Sequence, residues 1–366
     1  MAKNGTHVGI DLEQSSIAGV QVRGARQGLT LSTVAVRALP AGLVFEGEVV
    51  DVEALAAELK SFWKESGFTG KRCSLGVANQ KIVVRTMDFP MIDAKEMRSA
   101  IEFQAQESIP IPLQDAILDY QVLSTTTAED GSTKQKVLIV AAQRDMITQF
   151  VEAARKAGIT VEGIDLQAFA LMRSVAPPVA FVDQGAPGGA EATALVNIGS
   201  GVTNLVVAVN DVPEFTRVIN VGCEALVEAL MAHRGLQHSD ADILRLNVGL
   251  SGSDAPVADL EPGTVAEIHE VFDASCEAFA DEIRRSIDYY HSQEPASRIA
   301  TLLLSGEGAL TRNVCEYLGH ALHLDVRLGN PLQHVLENKT KLAQPDLEAM
   351  SPRLAVALGL ALEDEE

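Results

Sequence analysis

Positive charge is scarce in this sequence: its 366 residues include 29 Lys and Arg against 50 Asp and Glu, a formal net charge of -21. Nucleic acids and anionic lipid surfaces recruit basic faces, so neither is an expected partner. Cysteine is sparse as well. Cys73, Cys223, Cys276 and Cys315 are scattered without a C-x-x-C pair, which excludes a disulfide framework and suits a reduced, cytoplasmic setting. No window approaches the roughly 18 apolar residues of a membrane span. Met1 to Asn4 leads into the first strand without the apolar core of a signal peptide, so a soluble protein without direct membrane insertion is expected. His320 and His323 have no Cys or carboxylate at ligand spacing, and no metal site is expected. The single tryptophan, Trp63, belongs in the core beside Phe62.

What the sequence does hold is a hydrophobic content of 47%, enough for two ordinary cores and therefore two lobes. It also holds one pattern twice: Val8-Gly9-Ile10-Asp11-Leu12-Glu13-Gln14-Ser15-Ser16 and Leu195-Val196-Asn197-Ile198-Gly199-Ser200-Gly201-Val202-Thr203-Asn204. In each copy an apolar strand ends near Asp11 or Asn197, turns through small polar residues, and resumes as Ile17 to Val22 or Leu205 to Val209. Such turns aim backbone N–H groups and hydroxyls at one spot, which is what an anion needs. The candidate phosphate-binding residues are Asp11, Gln14, Ser15, Ser16, Asn197, Gly199, Ser200, Gly201, Thr203 and Asn204. Taken alone, Gly199-Ser200-Gly201 also reads as an ordinary hairpin turn.

Along the chain, strands are expected over His7 to Ile10, Ile17 to Arg23 and Leu29 to Val36, then a helix capped by Asp51 and closed by Gly67, then the strand Cys73 to Val77. Ile82 to Asp88 reads as a strand, and Asp93-x-x-Glu96 as a capping box opening a helix that carries Met97, Ile101 and Ala105. That helix stops before Ile109-Pro110-Ile111-Pro112, because proline removes a donor and restricts its predecessor. Strands Ile117 to Leu123 and Lys136 to Ala142, around a polar loop that includes Ala128 to Asp130, complete a strand-helix-strand-strand insert. The turn-forming stretch Ala176 to Gly189 marks a lobe boundary. Beyond it come the second hairpin, a strand Glu214 to Asn220, a helix from Gly222 to His233, and a loose loop Gly249 to Gly263. A long helix striped with Phe272, Cys276, Phe279, Ile283, Ile287 and Tyr290 follows, and the strand Thr301 to Ser305 breaks at Gly306-Glu307-Gly308.

This order of motifs resembles the actin-like ATPase superfamily, and the insert resembles its FtsA-like branch. The details are similar to the PilM family of type IV pilus assembly proteins: Val84-Arg85 leading to Phe89-Pro90, Glu107-Ser108-Ile109-Pro110, Asp119-Tyr120, and Ala355-Val356-Ala357-Leu358-Gly359-Leu360-Ala361, over roughly Thr6 to Leu362. The resemblance implies an α/β, two-lobed actin-like ATPase fold: a duplicated mixed sheet with flanking helices and a strand-helix-strand-strand subdomain inserted in the first lobe. Residues 1–81, 159–188 and 350–362 would form the first lobe, 82–158 the insert and 191–348 the second lobe.

The resemblance implies ATP with Mg2+ as cofactor, with Gly222, Glu282, Arg285, Ser286, Gly306 and Gly308 added to the nucleotide site. A solvated helix face is the alternative for Glu282, Arg285 and Ser286, and packing for Cys223. The sequence departs from the family's pattern where it matters. Glu13 stands where a glycine is usual, Ala18 where a lysine is usual, Asn197 where an aspartate is usual, and the turn Gly306-Glu307-Gly308 is not all glycine. A carboxylate repels polyphosphate and an amide brings no charge to a metal. Nucleotide binding is therefore expected to be weak or absent, with little or no hydrolysis and no catalytic residue.

The family's partner is the short extended cytoplasmic tail of PilN, an inner-membrane protein, gripped in the groove beside the insert. The lining residues expected are Arg85, Phe89, Pro90, Glu102, Ile109 and Tyr120, with core packing the alternative for Phe89 and Ile109. Other pilus assembly proteins are implied partners, self-association stays open, and the implied location is cytoplasmic, held to the inner membrane through a partner. Two further readings remain: an FtsA-like filament protein, disfavoured by the acidic end Leu362-Glu363-Asp364-Glu365-Glu366 where anionic lipid would be repelled, and a small-molecule kinase, for which no catalytic carboxylate beside an acceptor pocket is evident.

Overall fold

The computed structural model describes residues 6–24, 28–127, 131–176, 191–252, 257, 260–293 and 296–362. The chain opens with β1 (Thr6–Leu12), β2 (Ser16–Arg23), β3 (Leu29–Ala38), the small hairpin β4 (Val44–Phe45) and β5 (Glu48–Val49), α1 (Val52–Ser66) and β6 (Arg72–Val77). The insert follows as β7 (Val83–Pro90), α2 (Ala94–Ser108), β8 (Ala116–Thr127) and β9 (Thr133–Gln143). Next come α3 (Arg144–Lys156), β10 (Thr160–Leu166) and α4 (Gln167–Val175). The second half holds β11 (Ala192–Ile198), β12 (Thr203–Val209), β13 (Val212–Ile219), α5 (Glu224–Arg234), α6 (His238–Asn247), α7 (Pro262–His291), β14 (Ile299–Ser305), α8 (Val314–Leu322) and β15 (Asp325–Leu328). The chain then returns through β16 (Val335–Asn338), α9 (Gln344–Met350) and α10 (Ala355–Ala361). The expected boundary at Pro177 to Gly189, the loop residues Ala128 to Asp130, part of the loop Gly249 to Gly263 and the acidic end Glu363 to Glu366 lie outside the described residues.

Two mixed sheets repeat one plan. The first has the order β10-β6-β1-β2-β3-β16 and the second β13-β12-β11-β14-β15. In each, three antiparallel strands are extended by two parallel ones: β6 and β10 beside β1, β14 and β15 beside β11. The sequence reading carries the second lobe to residue 348, whereas β16 at 335–338 already pairs with β3 in the first sheet. A four-residue strand paired on one edge carries too little pattern to be placed from sequence.

Local chemistry explains the elements that frame the site. Asp51 caps α1 by accepting from the Ala54 N–H at 2.9 Å, and Gly67 ends it with φ 74°. Leu55, Leu59, Phe62 and Trp63 are the buried stripe, and the Trp63 ring packs 5.2 Å from Phe68. At α2 the expected capping box is absent: the Asp93 side chain makes no cap bond, and its carbonyl accepts from the Glu96 N–H instead. The long helix α7 buries the predicted stripe from Phe272 to Tyr290 against the second sheet.

Two helices tie the lobes together. Every residue of α10 is buried, and it lies so close to α4 that a Cβ on Gly359 would come 1.8 Å from the Ala170 carbonyl oxygen. Helix α4 joins a core cluster with Leu195 and Val206 of the second sheet. Seven of its nine residues are buried, and the sequence reading places no helix there.

Candidate functional site

The two hairpin turns are superposable in plan. The Glu13 N–H donates to the Ser16 carbonyl at 2.9 Å, and the Gly199 N–H donates to the Val202 carbonyl at 3.0 Å. The flanking pairs are Leu12 with Ile17 and Ile198 with Thr203. Glu13 and Gly199 are therefore equivalent positions of the two repeats, as are Asp11 and Asn197.

The turns meet directly. The Ser200 N–H donates to Glu13 Oε2 at 3.2 Å, and the Ser15 N–H donates to Ser200 Oγ at 3.0 Å. A Cβ on Gly199 would lie 2.3 Å from Glu13 Oε2, and one on Gly201 would lie 2.5 Å from Gln14 Oε1. Behind the turns, the Gln167 side chain donates to Asp11 Oδ1 at 2.7 Å and accepts from Asn204 Nδ2 at 2.7 Å, spanning the lobes from α4. Thr203 Oγ1 donates to the Val221 carbonyl at 2.7 Å, and Asn197 is buried. Gln14, Ser15 and Ser16 are half-buried. A second bridge across the same cleft runs from Asn220 Nδ2 to Glu46 Oε2 at 3.2 Å.

Asp11 and Glu13 are both buried, and burial dominates their ionisation. It pushes the Asp11 carboxyl up to about 7, against the pull of the Gln167 hydrogen bond. Burial and then the Asp11 charge push Glu13 well above the usual carboxylate range, while the Ser200 and Gly201 N–H groups pull it back. Glu13 Oε1 is buried without a well-formed hydrogen-bond partner.

The remaining glycines bring further backbone to the second turn. The Cys223 and Glu224 N–H groups donate to the Gly199 and Ser200 carbonyls at 2.9 and 3.0 Å, and a Cβ on Gly222 would sit 2.2 Å from the Ser200 oxygen. Gly306, at φ 89°, has no room for a side chain beside the Ile198 carbonyl, nor Gly308 beside the Ile198 side chain. The Glu307 charge also pushes Glu13 up, while the Glu307 carboxyl is held by two arginines. It accepts from Arg353 at 2.6 Å and from the fully buried Arg245 at 3.2 Å, while Arg245 also holds Asp242 and Thr311. Cys223 is a packing residue whose thiol burial pushes up to about 12.

Glu282, Arg285 and Ser286 are not brought to this cluster by any described contact. Arg285 pairs with Glu282, Arg217 of β13 lies 3.6 Å from Glu282, and the buried Ser286 hydroxyl donates to the Glu282 carbonyl of its own helix. Sequence reading missed Gln167, Glu46 and Asn220. An isolated Gln opening the apolar run Ala168 to Met172 was the one available signal for the first.

ATP with Mg2+ does not fit these turns as they stand. The cavity at Glu13, Gln14 and Gly201 is about 10 Å³, at most one water, and the Glu13 carboxyl fills the space beside Gly199. Among the described residues no cluster of His, Cys, Asp or Glu is arranged to hold a metal ion.

The large concavity lies elsewhere. About 1220 Å³ opens between the insert and the first sheet, lined by Ile117, Asp119, Tyr120, Gln121, Leu138 and Val140 on one wall and by Ser74, Glu162 to Leu166, Phe169 and Arg173 on the other, with Asp211 and Pro213 at its rim. Its two walls end in strands that, among the described residues, pair on one side only, β8 and β10. Of the expected lining residues only Tyr120 touches it, and it does so at the β8 edge, since it pairs with Ile139 and packs against the insert's own core. Arg85, Phe89, Pro90, Glu102 and Ile109 do not, and register explains why. Arg85 pairs across the ladder with Ile139, and both belong to the sheet face under α2 rather than to the face bearing Leu138 and Val140. Phe89 and Ile109 are buried in the insert's own core, Arg85 and Pro90 are exposed outside the groove, and Glu102 pairs with Arg98 on α2.

A family model described as type IV pilus assembly protein PilM matches residues 9–365. Among solved structures, a PilM-PilN type IV pilus biogenesis complex is 23% identical with a TM-score of 0.79, covering 98% of this chain and 98% of that one. Ethanolamine utilization protein EutJ from Carboxydothermus hydrogenoformans is 14% identical with a TM-score of 0.54, over 98% of this chain and 90% of that one. MreB 5 of Spiroplasma citri bound to AMPPNP is 11% identical with a TM-score of 0.52, over 98% and 95%. These likenesses show the two-lobed actin-like fold.

Proposed function

This chain belongs to the family of type IV pilus assembly protein PilM, and we propose that it acts there as an adaptor gripping the cytoplasmic tail of an inner-membrane partner like PilN. The solved neighbour whose title names a PilM-PilN complex supports the choice of partner. In this reading the protein is cytoplasmic and reaches the membrane through that tail; no helix among the described residues is long and apolar enough to cross a membrane. The nucleotide cleft is weak or idle in the same reading, with little hydrolysis.

The groove between β8 and β10 is the observation that carries the proposal. An extended segment gains main-chain hydrogen bonds from a free strand edge and specificity from pockets for alternate side chains. Arg72 pairs with Glu162 and Arg173 with Asp165, while Asp119 and Asp211 have no ion-pair partner among the described residues. Cytoplasmic tails flanking a membrane span are rich in Lys and Arg, and the protein's charge of -21 attracts them.

Titration of a labelled tail peptide of a PilN-like partner tests this. Ile117→Arg, on the half-open groove wall, is expected to weaken binding at least tenfold with the melting temperature kept. Equal affinity in wild type and this variant would remove the groove from the proposal.

A further inference from the structure

The two repeats carry unlike residues at one equivalent position, Glu13 in the first turn and Gly199 in the second, and the larger reaches into the space left by the smaller. The Glu13 carboxyl accepts from the Ser200 N–H at 3.2 Å beside the Gly201 N–H, the kind of backbone donor pair that seats an oxyanion. It is more than nine-tenths buried, and its second oxygen has no well-formed partner. Ser15 N–H to Ser200 Oγ and Asn220 to Glu46 complete a closed cleft held by backbone and side-chain groups of this chain.

We propose that Glu13 is an internal ligand of the second turn: its carboxyl occupies an oxyanion seat at Ser200 and Gly201 and holds the two lobes closed without nucleotide. An acceptor fixed in the chain is present at an effective concentration that a free anion in solution must exceed to displace it. Removing the carboxyl therefore opens a seat for small oxyanions, carboxylate or phosphate, that the wild type does not offer. This inference concerns the cleft and is independent of tail binding in the groove.

Thermal unfolding of wild type and Glu13→Ala tests it, with acetate, inorganic phosphate, inorganic pyrophosphate and Mg-ATP each titrated against chloride at matched ionic strength. Glu13→Ala is expected to melt lower than wild type and to recover by a few degrees, saturably, with at least one of the oxyanions. Wild type is expected to follow the chloride control throughout. Recovery by acetate or phosphate identifies a seat for a single oxyanion, and recovery by Mg-ATP or pyrophosphate alone identifies a polyphosphate site; either supports the internal ligand. Equal anion responses in the two proteins, or none in a folded Glu13→Ala, would overturn it.

Should Glu13→Ala not fold, amide exchange in the wild type decides. The Ser200 N–H is expected to exchange slowly and equally with and without Mg-ATP. Fast exchange, or protection that appears only with Mg-ATP, would contradict the seat being filled.

Discussion

Glu13 Oε2 and the backbone N–H of Ser200, 187 residues apart in sequence, lie 3.2 Å apart at the junction of the two hairpin turns. Glu13 faces Gly199, its own counterpart in the repeat, and a Cβ there would come within 2.3 Å of the carboxyl. Gly199→Ala is therefore expected to destabilise the protein by about 1–3 kcal/mol through overpacking. In a Glu13→Ala background the same change should cost much less, giving a coupling of about 1 kcal/mol or more in a double-mutant cycle read by urea unfolding. Additive costs would show that the two positions do not press on each other.

The raised carboxyls set a pH dependence. A carboxyl whose folded pKa is raised keeps in the folded state a proton that the unfolded chain releases, so its contribution is whole at low pH and is lost as pH rises through the folded value. For Asp11 the window runs from 3.8 to about 7, and Glu13 shifts in the same direction. Glu13→Gln, which cannot ionise, should gain stability over wild type as pH rises above the ordinary glutamate value of 4.5, by at most about 1.4 kcal/mol per pH unit. Urea midpoints taken across that range measure the difference; parallel curves would contradict it.

Gln167 joins Asp11 to Asn204 through two buried hydrogen bonds of 2.7 Å. Gln167→Ala leaves both partners unsatisfied and opens a cavity, with an expected cost of about 2–4 kcal/mol. Gln167→Met restores volume without the bonds, so a loss nearly as large in that variant assigns the cost to polarity. Full recovery in Gln167→Met would assign it to packing instead.

Arg245 is fully buried and serves Asp242, Glu307 and Thr311, whereas Arg353 reaches Glu307 from a partly open position. Arg245→Ala is expected to cost about 3–5 kcal/mol, because it strands buried acceptors. Arg353→Ala is expected to cost about 1 kcal/mol. Chemical unfolding of the two variants side by side checks the ordering, and equal losses would refute it.

Arg85 lies on the α2 face of the insert's sheet and is exposed. Arg85→Ala should leave the melting temperature unchanged and the affinity for a tail peptide within about twofold, inside the usual ±0.5 kcal/mol of surface substitutions. A tenfold loss of affinity would place the tail on that face rather than in the groove.

The sequence by itself determined a good deal. Strand runs ending in small polar turns gave both hairpins, spacing gave the stripe of α7, and Asp51 with Gly67 bounded α1, since each depends on neighbours a few residues away. The order of motifs carried the resemblance to the fold, and Glu13 stood out against the family's pattern, where a glycine is usual. Only the tertiary structure decided what Glu13 does, because its partner Ser200 belongs to the other repeat and only lobe closure brings them together. It also decided that Arg85, Phe89 and Ile109 turn away from the groove while Ile117, Leu138 and Val140 line it. In a strand a shift of one residue exchanges the two faces, and which face of the insert meets the first lobe is fixed by α2 covering the other.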